Sequence, residues 1–165
     1  DNILDIDGGV EIANLGATIA NRGTYITPHL VKEIEGDTIA TEYRTPKSTM
    51  VSPEVYEQIV EGMRMAVTDG TCRAANIEGL NVCGKTGTAQ NKGKDHSAFM
   101  GFAPMENPKI AIAVYVENGG FGATYGVPIG ALLMEQYLNG KLSEESMEKA
   151  KAIQERVIYY GTGER

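Results

Sequence analysis

The sequence is poor in the residues that cross-link small domains or bind metals: its 165 residues include only two cysteines and two histidines. Cys72 and Cys83 are too few for a disulfide framework and lack the C-x-x-C spacing of a zinc site. His29 and His96 are isolated from both cysteines, so we predict no metal site and no cofactor. A Cys72–Cys83 bridge would need an oxidising compartment, and two ordinary semi-buried thiols are the favoured alternative.

Basic residues and long apolar runs are also scarce. Fifteen Lys and Arg face twenty-two Asp and Glu, a formal charge of -7, and no stretch combines basic residues with aromatics. This pattern argues against nucleic acid as a partner. The longest apolar run, about residues 110–116, is far shorter than a bilayer span, and the N-terminus is acidic where a signal peptide would be basic. If the protein works at a membrane, we expect its anchor to lie outside this chain.

The length suits one domain or part of a larger one. Periodicity predicts a helix over residues 10–22, with Gly23 at its C-cap. Residues 24–34 then alternate like a strand, and a turn at Gly36-Asp37 leads to a second extended piece around residues 38–44. We therefore expect a surface hairpin between the first two helices.

A second helix begins at Ser52, an N-cap residue followed by Pro53, and ends near Thr68. Its predicted buried positions are Val55, Ile59, Met63 and Val67.

Three strand candidates follow, at residues 80–89, 97–104 and 109–117. Their connectors are short, so we predict an antiparallel sheet in chain order. A Gly-rich loop leads to an apolar helix over residues 127–138, and Ser143 caps a final amphipathic helix that continues to residue 160. Together these elements predict an α+β fold, an antiparallel sheet flanked by helices.

Residues 79–90, "GLNVCGKTGTAQ", fit two motifs. Gly79, Gly84, Lys85 and Thr86 match the P-loop pattern of nucleotide-binding proteins, whereas Lys85-Thr86-Gly87 matches the K-T-G triplet of penicillin-recognising acyl-serine enzymes. A P-loop needs a helix directly after the lysine and a parallel β-α-β alternation. Here Gly87 and a polar loop follow, and two more strands come next. The context therefore disfavours nucleotide binding and favours the K-T-G triplet on a strand.

The chain resembles the C-terminal part of a penicillin-binding protein transpeptidase domain, of the monofunctional class B, penicillin-binding protein 2-like elongation type. The matching stretches, in the family's order, are "IANLGATIANRGTYITPHLV" (12–31), "GKTGTAQ" (84–90), "SAFMGFAP" (97–104), "NPKIAIAVYVENGG" (107–120) and "YGVPIGALLMEQYL" (125–138). The resemblance implies a fragment of the β-lactamase/transpeptidase-like fold. It assigns residues 10–140 to the transpeptidase domain, residues 141–165 to a helical extension, and residues 1–9 to an atypical leader or an artificial segment.

The resemblance also implies roles for four residues. Lys85 would place positive charge beside the nucleophile, and the Thr86 and Thr88 hydroxyls would donate to the substrate carboxylate. Gly87 would let an extended peptide add to the strand. The backbone N–H of Thr88 would be an oxyanion-hole donor.

The nucleophile of such an enzyme is missing from this chain. An S-x-x-K motif and an S-x-N motif should precede K-T-G. No S-x-N occurs, and the one S-x-x-K, Ser146 to Lys149, follows K-T-G in a Glu-rich helix. We interpret Ser146 as part of a solvated helix face and His96 as a solvated residue at a strand start, and we expect this chain to be inactive alone.

For the parent protein the resemblance implies a serine-type D,D-transpeptidase that cross-links peptidoglycan stem peptides at D-Ala-D-Ala and is acylated by β-lactams. It would be anchored in a bacterial cell membrane with its catalytic domain outside the cytoplasm, beside cell-elongation partners. A non-catalytic module that binds peptides or the cell wall is the alternative.

Overall fold

The computed structural model describes residues 6–159. Its helices are α1 (Ile6–Ala20), α2 (Pro53–Thr68), α3 (Gly126–Asn139) and α4 (Glu144–Gln154). Its strands are β1 (Thr24–Tyr25), β2 (Lys47–Ser48), β3 (Cys83–Ala89), β4 (His96–Ala103) and β5 (Ile110–Val116). Two 3-10 turns lie at Thr41–Tyr43 and Arg73–Ala75. Within the described residues, no helix is long and apolar enough to cross a membrane.

Helix α1 confirms the first predicted helix but begins earlier, at Ile6. Part of the segment assigned to an atypical leader is therefore helical, and residues 1–5 lie outside the described part of the chain. The helix ends where Arg22 and Gly23 have positive φ angles of 52° and 100°. The Gly23 N–H donates to Thr18 O at 2.8 Å, which satisfies a carbonyl at the helix end.

The predicted hairpin after α1 is largely wrong. Only Thr24–Tyr25 is a strand, and it pairs with Lys47–Ser48 instead of the segment after Gly36. A single bridge joins Ile34 to Asp37 around the predicted turn. Residues 26–51 are mostly exposed, with Leu30 fully so. Apart from Lys47–Ser48, residues 26–51 add no strand to a sheet among the described residues, and an isolated hairpin is only marginally stable.

Helix α2 has the predicted bounds, and two of its four predicted buried residues, Met63 and Val67, are confirmed. Its buried residues are Tyr56, Val60, Met63 and Val67, whereas Val55 and Ile59 are 43% and 38% exposed. The predicted set advanced in steps of four, which drifts around a helix of 3.6 residues per turn. The observed spacing of four, three and four keeps one stripe. Tyr56 joins the core because its hydroxyl pairs with Thr49 Oγ1 at 2.8 Å.

The three-stranded sheet confirms the predicted order β3-β4-β5 and its antiparallel pairing. Lys85 lies opposite Met100, which lies opposite Ala113. One face packs against α1 and the first half of α2, and the other packs against α3 and the end of α2. The central strand β4 therefore separates two apolar clusters, with Phe102 in one and Phe99 in the other.

The two C-terminal helices were predicted, but the second is shorter than expected. Ser143 caps α4 by accepting the Ser146 N–H at 3.3 Å. The helix ends at Gln154, where the Arg156 N–H bonds to Ile153 O at 3.1 Å and tightens the last turn. Residues 155–159 are not helical, and residue 160, where the predicted helix ended, lies outside the described residues.

Candidate active site

The candidate site is the outer edge of β3. Cys83 and Gly84 are buried, whereas Lys85 and Thr88 are exposed. Every second residue of an antiparallel pair directs its N–H and C=O away from the partner strand. Among the described residues no strand pairs with the outer edge of β3, so this edge offers backbone groups to an extended ligand.

The predicted site residues divide between the two faces of the strand. Lys85 and Gly87 lie opposite Met100 and Ala98 of β4, on the face that α1 covers in part. Thr86 and Thr88 lie opposite Phe99 and Ser97, on the α3 face. The prediction that residues 85–89 form a strand is confirmed. The P-loop hypothesis is wrong, because Thr86–Ala89 is strand where a phosphate loop requires a helix.

The Lys85 side chain bends along the edge. Its Nζ donates to the carbonyl of the next residue, Thr86, at 2.8 Å. A carbonyl that accepts this bond is accessible at the strand surface. The ammonium group therefore lies beside the backbone that an added peptide strand would meet, and no carboxylate pairs with it among the salt bridges of the described residues.

The segment that follows α2 orients Thr86. The hydroxyl oxygens of Thr71 and Thr86 are 2.9 Å apart. Next to them Cys72 is fully buried. Burial raises the pKa of the Cys72 thiol, although the Thr71 hydrogen bond, the Lys85 charge and the Thr86 backbone oppose that effect. Cys72 is therefore a neutral core residue.

The free-thiol interpretation of the cysteines is confirmed, although both are fully buried rather than semi-buried. Cys72 belongs to the apolar cluster on the α3 face, and Cys83 belongs to the cluster on the α1 face. Burial raises the pKa of Cys83 to about 11.

Gly87 has an ordinary strand conformation, since it is absent from the positive-φ glycines of the described residues. A β-carbon at Gly87 would lie 3.2 Å from the Ala98 side chain. On the other face, Gly122 packs against the Gly87 carbonyl and the Thr86 side chain, where an added β-carbon would come within 2.7 Å and 3.0 Å of them. Gly87 is thus closely packed against Ala98 on one face and Gly122 on the other, and no strand pairs with its outer edge among the described residues.

A cavity of about 260 Å³ lies between α1 and the sheet. It brings together three of the four predicted site residues, Lys85, Thr86 and Gly87. Thr88 is not part of its lining. The remaining lining residues are Gly9, Ile12, Leu15, Ala98, Phe99, Met100, Ala113, Val114 and Tyr115. The site is therefore an apolar hollow with an ammonium group at its rim.

The interpretation of His96 as a solvated residue is wrong. His96 is buried, its Nδ1 accepts the Asn118 N–H at 2.9 Å, and its ring centroid lies 5.3 Å from that of Tyr115. The neighbouring Ser97 also went unnoticed in the sequence: it is fully buried, and its hydroxyl donates to Phe121 O at 2.8 Å. Both side chains hold a loop next to the site, and no local pattern signals such long-range contacts.

The solvated interpretation of Ser146 is also wrong, although Lys149 is exposed and pairs with Glu145 at 2.7 Å. Ser146 is buried in the first turn of α4, close to the buried Glu135 of α3. The helix turns this residue inward because Glu135 Oε1 accepts the Ser143 N–H at 3.0 Å. Ser146 therefore serves the α3–α4 contact.

The K-T-G triplet, a signature of penicillin-recognising acyl-serine enzymes, lies on a strand whose outer edge no described strand covers. The family described as penicillin binding protein transpeptidase domain matches residues 9–136. The peptidoglycan D,D-transpeptidase PbpA of Mycolicibacterium smegmatis is 36% identical over 132 residues, which cover 72% of this chain. The chain belongs to the penicillin-binding protein transpeptidase family.

Solved structures agree with this assignment. PBP2 of Pseudomonas aeruginosa, in complex with WCK 5153, superimposes on 81% of the chain with a TM-score of 0.68 and 37% identity. Penicillin-binding protein A of M. tuberculosis, solved as an imipenem acyl-enzyme, covers 76% with a TM-score of 0.65 and 35% identity. The predicted α+β transpeptidase-like fold is confirmed. The chain spans only 26% of the M. smegmatis relative and 30% of the P. aeruginosa chain.

Proposed function

We propose that this chain forms the penicillin-binding wall of a serine-type D,D-transpeptidase that cross-links peptidoglycan stem peptides. The observation that supports this most directly is the outer edge of β3 from Lys85 to Ala89, which pairs with no strand among residues 6–159. A substrate ending in D-Ala-D-Ala would add to this edge as a further antiparallel or parallel strand. The serine that attacks the peptide would come from polypeptide outside this chain, in an S-x-x-K motif.

In this proposal Gly87 lets the substrate backbone approach the strand. The Thr86 and Thr88 hydroxyls donate to the terminal carboxylate, a charge-assisted contact. The Thr88 N–H stabilises the oxyanion of the tetrahedral intermediate, and removing such a donor costs about 3 kcal/mol in the transition state. Thr86 and Thr88 share one face of β3, which supports their acting on the same group.

Lys85 supplies positive charge at the rim of the hollow. Its bond to the Thr86 carbonyl holds the ammonium group beside the strand edge, and the serine of the complete domain would approach from that side. An ammonium there favours the approach of an anionic substrate and lowers the pKa of neighbouring acidic groups. Thr71 supports the geometry by holding the Thr86 hydroxyl.

We further propose that β-lactams acylate the complete domain, as imipenem does in the M. tuberculosis relative. The complete protein would be anchored in a bacterial membrane by a segment outside this chain, with its catalytic domain on the extracytoplasmic side and cell-elongation proteins as partners. Residues 10–140 would belong to the transpeptidase domain, and residues 141–165 would form a C-terminal extension.

The proposal is tested by restoring the nucleophile. We define the joined domain as the serine-bearing N-terminal segment of the M. smegmatis PbpA transpeptidase domain followed by residues 9–165 of this chain. After incubation with benzylpenicillin, intact-mass spectrometry should show a stoichiometric adduct on the joined domain and none on this chain alone. Lys85→Ala should slow acylation, whereas Lys109→Ala, which removes an exposed lysine before β5 that bonds to Asn107, should not.

An adduct on the chain alone would overturn the argument that its nucleophile is missing. A joined domain that melts cooperatively but stays unlabelled would favour the second candidate, a peptide-binding or cell-wall-binding module without chemistry. That candidate is kept because Ser146 to Lys149, the chain's one S-x-x-K, serves the α3–α4 contact instead of the sheet edge.

A further inference from the structure

The loop between β5 and α3, residues 117–125, packs at Gly122 against both β4 and β3, the strand of the candidate site. We call it the glycine loop, since it contains "GGFG" at residues 119–122. Gly122 packs so closely on the Gly87 carbonyl that an added β-carbon would come within 2.7 Å of the oxygen. The position of this loop therefore affects the position of the strand that would receive the substrate.

Three consecutive residues hold the first part of the glycine loop: Asp95, which precedes β4, and the first two residues of β4. Asp95 O accepts the Gly120 N–H at 2.7 Å. His96 Nδ1 accepts the Asn118 N–H, and Ser97 Oγ donates to Phe121 O and accepts the Gly126 N–H at 3.0 Å. These contacts fix the loop at both ends from the sheet side.

The second part of the loop is held from outside the sheet, by Arg156. Arg156 Nη1 donates to Thr124 O at 3.1 Å, and its guanidinium carbon lies 5.5 Å from the ring centroid of Tyr125. Arg156 follows α4, and α4 is tied to α3 by the bond from Ser143 N–H to Glu135 Oε1. The family match ends at residue 136, so this contact comes from beyond the matched range.

We propose that Arg156 is a positioning residue, through which the C-terminal extension latches the glycine loop onto β4 and thereby fixes the β3 edge for substrate. The inference rests on the proposed function for what the edge binds. A glycine-rich segment gains much backbone entropy when released. Without the guanidinium, Thr124 and Tyr125 lose an outside hydrogen bond and a cation–π contact, and the loop opens more often.

Amide hydrogen exchange on the full chain tests the latch without any catalytic assay. In Arg156→Ala the Gly120, Thr124 and Gly126 amides should exchange about fivefold faster, the effect of losing one exposed hydrogen bond and one exposed cation–π contact. Arg156→Lys retains a cation and a donor and should restore part of the protection. Lys151→Ala is the matched control, because it removes an exposed cation from α4 that makes no hydrogen bond or ion pair among the described residues.

In a second experiment the same variants are titrated with an acetylated peptide that ends in D-Ala-D-Ala. Binding is monitored through the amide chemical shifts of β3. Arg156→Ala should weaken binding about fivefold, with Arg156→Lys between it and the unmodified chain. Unchanged loop exchange in Arg156→Ala, or equally fast exchange in Lys151→Ala, would overturn the inference. If the unmodified chain binds no peptide, the proposed function fails, and the exchange comparison still decides whether the latch exists.

Discussion

Strands β3 and β4 are neighbours in one sheet but differ in nearly every physical respect. No residue of β4 is exposed, because helices cover both of its faces and a strand lies on each side. In β3 only Cys83 and Gly84 are fully buried, and the strand then presents lysine, threonine and glycine at an open edge. The buried strand β4 and the strand edge that we propose for substrate binding are therefore direct neighbours in the sheet.

This difference shows how the sheet can tolerate a polar, glycine-rich strand. The apolar area that drives folding is supplied by β4 and its helices, with Phe99 and Phe102 on opposite faces. Residues 85–89 of β3 contribute little to either apolar cluster. Their side chains are therefore not needed for core packing and can contact a ligand. Substitutions in the two strands should therefore affect different properties.

The largest effect on stability is expected for Phe99→Ala. The Phe99 ring is surrounded by Gly84, Gly101 and Gly130, where an added β-carbon would come within 2.5–2.6 Å of it. Removing the ring leaves a cavity that these glycines cannot fill, which costs about 3–5 kcal/mol. Phe121→Ala, which removes a ring that is 72% exposed, is the control and should cost less than about 0.5 kcal/mol in urea unfolding. Equal losses would contradict the assignment of the core to β4.

The next effect should appear in activity rather than stability. Gly87→Ala in the joined domain should reduce the second-order acylation rate with a chromogenic β-lactam about 100-fold, or about 2.7 kcal/mol, because the methyl group displaces the substrate by about 1 Å. The thermal melt should change little, since Gly87 has no positive φ and only Ala98 must yield slightly. A variant that acylates at the unmodified rate would show that the substrate does not lie along β3.

A smaller and pH-dependent effect is expected away from the site, at Glu135. Burial tends to raise the pKa of Glu135, but the hydrogen bond from the Ser143 N–H, the nearby Ser146 hydroxyl and the charge of Lys149 outweigh it and hold the pKa below its ordinary value of 4.5, although Oε2 has no hydrogen-bond partner among the described residues. The stabilisation is therefore present above about pH 4.5 and is lost as pH falls through the folded-state pKa. Glu135→Gln should cost about 1–3 kcal/mol at pH 7 and less at pH 3.5.

Urea unfolding at the two pH values measures this difference, with Glu148→Gln on the exposed side of α4 as the control. A cost that stays the same at both pH values would mean that the carboxylate charge is not what stabilises the α3–α4 contact. Such a result would also argue against the bond from the Ser143 N–H to Glu135 as the contact that holds α4 against α3.

The smallest effect is expected for Thr71→Val, which removes the hydroxyl that pairs with Thr86. The contact is solvent-exposed, so the free energy of unfolding should fall by only about 0.5–1 kcal/mol. Thr68→Val, whose hydroxyl makes a local 3.4 Å bond to Met65 O, should match it in stability. The two should differ in the joined domain, where only Thr71→Val should slow acylation by freeing Thr86. If Thr71→Val and Thr68→Val acylate at the same rate, Thr71 has no role in positioning Thr86.

The sheet was predictable because three strand-forming segments with short connectors allow few arrangements, and K-T-G identified β3 within it. The errors share one cause, which is dependence on distant partners. His96 and Ser146 looked solvated because Asn118 and Glu135, which explain their burial, are 22 and 11 residues away in the sequence. Residues 24–34 alternate like a strand and residues 38–44 were predicted to be extended, yet no sheet lies beside most of them. Alternation predicts a strand only where the fold supplies a neighbour.

The most direct test of the central claim compares the two edges of the same sheet. The isotope-labelled chain is titrated with an acetylated peptide ending in D-Ala-D-Ala to about 10 mM, since binding without the nucleophile should be weak, with a dissociation constant of about 1 mM. We predict amide shifts at Thr86, Gly87 and Thr88, no shifts along β5, and no response to the L-Ala-L-Ala peptide. Shifts that follow β5, or equal shifts with both peptides, would contradict the assignment of β3 as the substrate-binding wall.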